Sequence, residues 1–492
     1  MKKILVAAAL ASAIFAPITA QAGKSTVNFA MRLEPPGLDP RAGAAAAISL
    51  ITLYNIYEGL TRIDSDGSVK PELAKSWTVS PDGLVYTFQL EKGVKFHDGA
   101  DFDSSDVKYT FEENAADGSK NKRKGRFTNI ASIDASDPNT VVITLKEPRA
   151  DFLAQLGEAT AVIVDPASDS TNATNPIGTG PYKFVRWIKG DSVKLVMADT
   201  YRDKASLHIK KATFRFINDS AARMATLLTG DVDFTFVPNE TISQFKLGSQ
   251  FKVIEGTTNG ETILSTNNKN PALSKLKVRQ AIAHAINRQE IIDGAMFGYG
   301  TPIGSHFAPH NPDYVDLTNT YPYDPEKSKA LLAEAGYKDG LALTLKLPPV
   351  DDYARKGGQI VAAQLEKAGF KITIENVDWP KWLDEVYKKK NYDLSIVSHV
   401  EPMDINIYAR EGYYFNYSNP AFNKVIKEAE TALSPAVRSA KLKEAQVILA
   451  KDAVNGYLFQ LARVVVARKG LNGIWKDLHL FATDLARMSW DE

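Results

Sequence analysis

NPIGTGPYKF, Asn175 to Phe184, is the kind of glycine-dense turn that could cradle a phosphate. A phosphate loop needs GxxxxGK followed by Ser or Thr, so that backbone N–H groups and a lysine converge on the phosphates. Gly178-Thr179-Gly180 runs instead into Pro181-Tyr182-Lys183, which fits neither that pattern nor GxGxxG. Pro181 also lacks the backbone donor that such a cradle uses. Gly23-Lys24-Ser25-Thr26 has the right ending, but Ile18 stands where the first glycine is required. A nucleotide site is unsupported. His306 and His310 are spaced i, i+4, but Pro309 between them works against a shared helix face for a metal. Asp64-Ser65-Asp66-Gly67 brings its glycine two positions too early for a calcium loop and reads as a turn between strands. There is no GxSxG elbow and no cysteine, which excludes a thiol nucleophile. Paired carboxylates leave no signature in spacing, so a glycosidase-like site stays open without a motif to motivate it. No catalytic residue, metal ligand or cofactor is assigned.

The elements that must position any site belong to a chain of 492 residues, long enough for two or three domains. Hydrophobic residues make up 44% and charged residues 24%, an ordinary globular balance, and the formal net charge of +1 gives no pull toward nucleic acid. The basic clusters Lys120 to Lys124 and Lys388 to Lys390 are short and read as solvated helix ends or loops, with a binding patch as the minority reading. Lys2 and Lys3, the apolar run Ile4 to Ile18 and the small residues of Ala20-Gln21-Ala22 form a signal peptide cleaved after Ala22. The run is too short for a bilayer span, and the missing cysteine rules out an N-terminal lipid anchor. The expected location is the periplasm, without membrane anchorage.

Leu84, Tyr86, Phe88 and Leu90 alternate as one face of a strand, and Asp103 can cap a helix over roughly Ser104 to Ala115. Further strands are expected at Val141 to Leu145, Val193 to Met197, Ala212 to Ile217 and Asp231 to Val237, with a helix from about Ser220 to Thr229. Leu341 to Val397 reads β-α-β-α-β: strands at Leu341–Leu347, Phe370–Val377 and Tyr392–Val397, helices at Asp352–Ala368 and Pro380–Lys389. That order implies parallel strands with right-handed crossovers, and ligands sit beyond the carboxyl ends of such strands. Those ends bring Asp378-Trp379 and His399-Val400-Glu401 to one edge, where a positively charged group could be held. Each residue has a plainer reading. Trp379 and Trp382 could pack a helix on the sheet, Glu401 and Asp404 could be solvated loop acids, and His399 could be structural.

PELAKSWTVSPDGLVYTFQLEKGVKFHDG (Pro71 to Gly99) and DSSDVKYTFE (Asp103 to Glu112), with LYNIYEGLTRID before and VRQAIAHAINRQEII and YDPEKSKALLAEAGY after, resemble the solute-binding proteins of dipeptide, oligopeptide and nickel ABC importers. The resemblance covers essentially the mature chain, and NPIGTGPYKF is one of its motifs, a structural turn back from a small domain. It implies an α/β, two-lobed periplasmic binding protein fold of type II with an extra small α/β domain and hinge closure over the ligand. Lobe one would combine 23–60, 178–267 and 463–492, the inserted domain 61–177, and lobe two 268–462. The implied protein is a monomer that hands a peptide or amino-acid-like solute to an inner-membrane permease. Leu33, Glu34 and Trp379 are the contacts carried over. An acid following the strand that ends at Val397 would pair with the ligand's amino group. SHVEPMDINIY departs from the usual Asp-Pro form there, so Glu401 and Asp404 compete, with Asp404 favoured. An extracytoplasmic hydrolase and a periplasmic chaperone are the competing classes.

Overall fold

TVNFAM, Thr26–Met31, buries Val27, Phe29 and Met31 on one face and Ala30 on the other, the pattern of a strand covered on both sides. In the computed structural model, which describes residues 24–491 apart from 44, 249, 402 and 403, this strand pairs in parallel with Lys211–Phe216 and Phe234–Thr235. The signal-peptide segment lies outside the described residues. The main sheet runs, edge to edge, Phe370–Asn376, Leu341–Leu347, Leu394–His399, Phe251–Thr266, Gly456–Arg468, Phe234–Thr235, Thr26–Met31, Lys211–Phe216, Ser192–Met197 and Tyr182–Ile188. Phe251–Thr266 and Gly456–Arg468 are long enough to serve two cores. Val253, Val464 and Val466 pack at one end with Leu227 and Phe245; Leu264, Leu458 and Phe459 pack at the other with Leu345 and Ile396. Their pairing slips between Thr257 and Glu261, a bulge midway between those cores.

The β-α-β-α-β expectation holds: Leu341–Leu347 pairs in parallel with both Phe370–Asn376 and Leu394–His399. The two helices differ from a simple reading. Asp351–Lys356 is a wide turn with Arg355 N–H donating to Val350 O, before Gly357–Lys367 continues as α-helix. Leu383–Lys388 is likewise wide, following the short helix Trp379–Trp382. The strand expected over Asp231 to Val237 shrinks to Phe234–Thr235, since only those two residues find partners on both sides.

A separate four-stranded sheet, Ala74–Val79, Val85–Leu90, Thr140–Leu145 and Ile130–Asp137, carries the helix Ser104–Ala115 over a core that includes Phe88, Phe111 and Val141. Asp103 caps that helix as expected, accepting from Ser105 N–H at 2.7 Å, while Asp106 accepts from Asp103 N–H at 2.9 Å. The Asp64–Gly67 turn joins Thr61–Ile63 to Val69–Pro71 with Gly67 at φ 78°. Gly178 and Gly180 serve another purpose. Neither has a positive φ; a Cβ would lie 2.1 Å from Ile56 O at Gly178 and 2.5 Å from Asn55 O at Gly180. His97 fastens the stretch, accepting from Gly178 N–H at 3.3 Å and donating to Gly180 O at 2.9 Å. The missing side chains let two segments touch.

Candidate functional site

His399 closes the strand Leu394–His399, directly opposite Glu261 in the antiparallel ladder with Phe251–Thr266. Asp404 starts the tight turn Asp404–Ala409, and His306 follows the short strand Gly300–Pro302, which pairs with Gly456–Arg468. These segments bring His306 Nε2 to 2.7 Å from Asp404 Oδ1 and 3.8 Å from Glu261 Oε2. Burial works to raise the Asp404 carboxyl, but the charge and hydrogen bond of His306 hold it below the usual carboxylate range. Burial opposes protonation of His306, yet Glu261 and Asp404 together raise it above an ordinary histidine. Glu261 has less help, and burial pushes it up to about 8. His399 shares a 3.0 Å hydrogen bond with the Tyr414 hydroxyl, and burial pushes its imidazole down to about 4.

In front of this cluster a cleft of about 620 Å³, with an adjoining recess of about 270 Å³, opens between the inserted unit and the segment 397–431; Arg123, Glu401, Asp404 and Arg410 line both. Every carboxylate in the wall is already paired: Glu401 with Arg123 at 3.5 Å, Glu158 with Arg126 at 2.5 Å, Asp151 and Glu430 with Arg149, Glu147 with Lys427, and Asp404 with His306. Lys122, Lys146 and Arg410 line the same cleft and take part in no ion pair among the described residues. The Arg410 guanidinium donates to Asn406 Oδ1 at 3.2 Å and lies over the Tyr413 ring. The cleft therefore carries spare positive charge.

The residues singled out by sequence divide into three groups. Trp382, His399, Glu401 and Asp404 converge on the recess. Trp382 also serves the core: it is buried, and its indole N–H donates to Ser395 Oγ at 3.0 Å. Trp379 is exposed and meets Trp382 edge-on at 5.6 Å. Leu33 and Glu34 line neither cavity; Leu33 is exposed, and Glu34 accepts from the Trp187 indole at 2.8 Å and Gly190 N–H at 3.1 Å. His306 and His310 take different partners, Asp404 and Asn259. Reasoning from sequence passed over Arg410 and Glu261, and treated the Lys120–Lys124 cluster chiefly as solvated loop. Lys122 and Arg123 of that cluster stand in the cleft wall, which favours its minority reading as a binding patch. Arg410 lies six residues beyond Asp404, so a longer reading of the same loop would have reached it.

Two α/β lobes joined by long strands, an inserted small domain and a charged cleft between the parts define a type II binding protein of the periplasmic kind. The sequence model of bacterial extracellular solute-binding proteins, family 5 (middle region), matches residues 68–423. The glutathione-binding protein GsiB of Salmonella paratyphi A is 32% identical over 494 residues, covering 96% of each chain. The solved structure of AgaA from A. tumefaciens R10 with agropinic acid superimposes with a TM-score of 0.80 at 26% identity, covering 95% of this chain and 99% of the other. DppA from Helicobacter pylori with the peptide STSA gives 0.82 at 26% identity, covering 95% and 98%. The chain belongs to the family 5 extracellular solute-binding proteins, the solute-capturing components of ABC importers.

Proposed function

We propose that the cleft captures a peptide-like or amino-acid-derived solute carrying more carboxylate than ammonium, and releases it unchanged to an inner-membrane permease. The observation that carries this reading is the charge pattern: every acid in the wall is paired, while Lys122, Lys146 and Arg410 are free of ion pairs among the described residues. A solute carboxylate is the natural complement of those cations. Glu401, half exposed and paired among the described residues with Arg123 at 3.5 Å, is the acid free to exchange partners and accept a solute ammonium. Asp404 is occupied by His306, so the role favoured for it from sequence passes to Glu401. The glutathione-binding relative and the agropinic acid and STSA complexes of similar proteins support a solute of this kind.

The remaining assignments belong to the same reading. Export follows cleavage after Ala22, and the working place is the periplasm. The protein acts as a monomer without a membrane anchor; no helix among the described residues is long and apolar enough to cross a membrane. Residues 23–60, 178–267 and 463–492 form lobe one, 61–177 the inserted domain and 268–462 lobe two, closing by hinge motion. The test is mass spectrometry of the small molecule that co-purifies with the periplasmic protein, followed by calorimetric titration of that compound and of reduced glutathione. A solute with net negative charge, recovered unchanged, is expected. A cationic solute, or its steady conversion to product, overturns the reading.

A further inference from the structure

At the inner wall of the cleft, side chains of metal-binding type arrive from three separate segments of the chain. One ligand atom each from Glu261, His306 and Asp404 lies within 4.8 Å of the others. The individual separations are 2.7 Å from His306 Nε2 to Asp404 Oδ1 and 3.8 Å to Glu261 Oε2, with His399 Nδ1 3.8 Å from Asp404 Oδ2. Bonds of ~2.0–2.1 Å around a tetrahedral ion put neighbouring ligand atoms about 3.3 Å apart. The two His306 separations bracket that value.

The cluster also lacks something. Glu261 Oε2 has no hydrogen-bond partner although the residue is only 3% exposed, and it faces His306 Nε2. His399 is oriented from behind, with the Tyr414 hydroxyl on Nε2 at 3.0 Å, which leaves Nδ1 on the side of Asp404. Two carboxylates and a neutral imidazole together balance the charge of a dication. We propose that Glu261, His306 and Asp404 form a resident site for a divalent transition-metal ion of the zinc class. Imidazole and carboxylate donors suit such an ion better than magnesium or calcium, which favour all-oxygen shells. His306 and Glu261 are fully buried while Asp404 also lines the cleft, so the ion would sit at the inner face of the cleft wall. Its place would be structural, tying the crossing strand Phe251–Thr266 to the loop that carries the cleft acids.

The test is calorimetric titration of ZnCl2 into the chelator-stripped full chain. One tight site per chain is expected, with a rise in melting temperature that follows zinc concentration. Glu261→Gln and His306→Gln should each weaken zinc binding more than about 100-fold, beyond what losing a supporting hydrogen bond produces. His310→Gln, at a histidine outside the cluster, should leave it intact. Absence of a tight site, or zinc affinity unchanged in both cluster variants, overturns the proposal. Should a variant fail to fold, cobalt(II) loading of the intact protein decides: intense visible bands of a tetrahedral N/O site support it, and an octahedral or absent signal overturns it.

Discussion

Glu401 and Asp404 stand three residues apart in one loop, yet their surroundings assign them different work. Glu401 is half exposed in a single 3.5 Å ion pair, so exchanging it for an amide costs little fold stability. Glu401→Gln should weaken binding of the co-purified solute by about 30-fold, roughly 2 kcal/mol, with the melting temperature unchanged, as read by calorimetry and thermal unfolding. Asp404→Asn should do the reverse first, lowering the melting temperature, because His306 and Glu261 lose the partner that organises them. Equal loss of solute affinity in both variants, without a stability difference, would contradict this division. The two acids were legible in SHVEPMD as competitors for one role. What decides between them was not: His306 lies 98 residues upstream, and no local spacing announces a partner at that distance.

Elements that depend on near neighbours were read correctly from the chain. The Asp103 cap, the alternation through Phe88 and the helix Ser220–Thr229 are each local signals with local causes. The wide turns at Asp351–Lys356 and Leu383–Lys388 escaped because a helical apolar period persists through them. The glycines of NPIGTGPYKF were legible as structural, but their reason sits 122 and 125 residues earlier, at Ile56 and Asn55. Gly178→Ala and Gly180→Ala should each destabilise the fold by about 1–3 kcal/mol, since the obstructing atoms are backbone and cannot swing aside. Urea denaturation measures it; a neutral result would mean the segment at 55–57 yields easily. Trp382→Phe should cost about 1 kcal/mol through loss of its bond to Ser395, and more if the smaller ring leaves a void.

Acid tolerance is a property of the whole molecule and depends on two partly buried neutral histidines. Burial pushes both His310 and His399 down to about 4, from an ordinary value near 6.5. The unfolded chain therefore takes up protons that the folded chain refuses, and stability falls as pH drops from about 6.5 towards 4. His306 has the opposite sign: its folded value is raised, so its contribution is full below about 6.5 and fades as pH rises through that folded value. Urea midpoints should be lower at pH 5 than at pH 7, and His310→Gln should flatten part of that slope. A midpoint that rises on acidification would place the weight on His306 instead. The inserted unit is also fastened to the far side of the cleft by Lys427 with Glu147, by Arg149 with Glu430 at 3.4 Å, and by Ala150 N–H to Glu430 O at 2.9 Å. Lys427→Glu should enlarge the ligand-free particle in X-ray scattering, with Glu147→Lys in the same chain restoring it; identical profiles for all three proteins would show that the pair does not restrain opening. The strand Phe251–Thr266 carries a different kind of information. Its 16 residues reach roughly 50 Å at ~3.3 Å per residue, anchored in a core at each end, with the widest break in the ladder near the middle and a second shift at Thr262/Ile263. A ribbon clamped at both ends and loosened at its centre concentrates torsion there, so the proposed closure of the lobes would bend the backbone between Thr257 and Glu261. Amide hydrogens of Thr258 to Gly260 should exchange quickly in the ligand-free protein and slow on solute capture, while those of Ile263 to Thr266 hold steady, making the bulge a built-in gauge of occupancy.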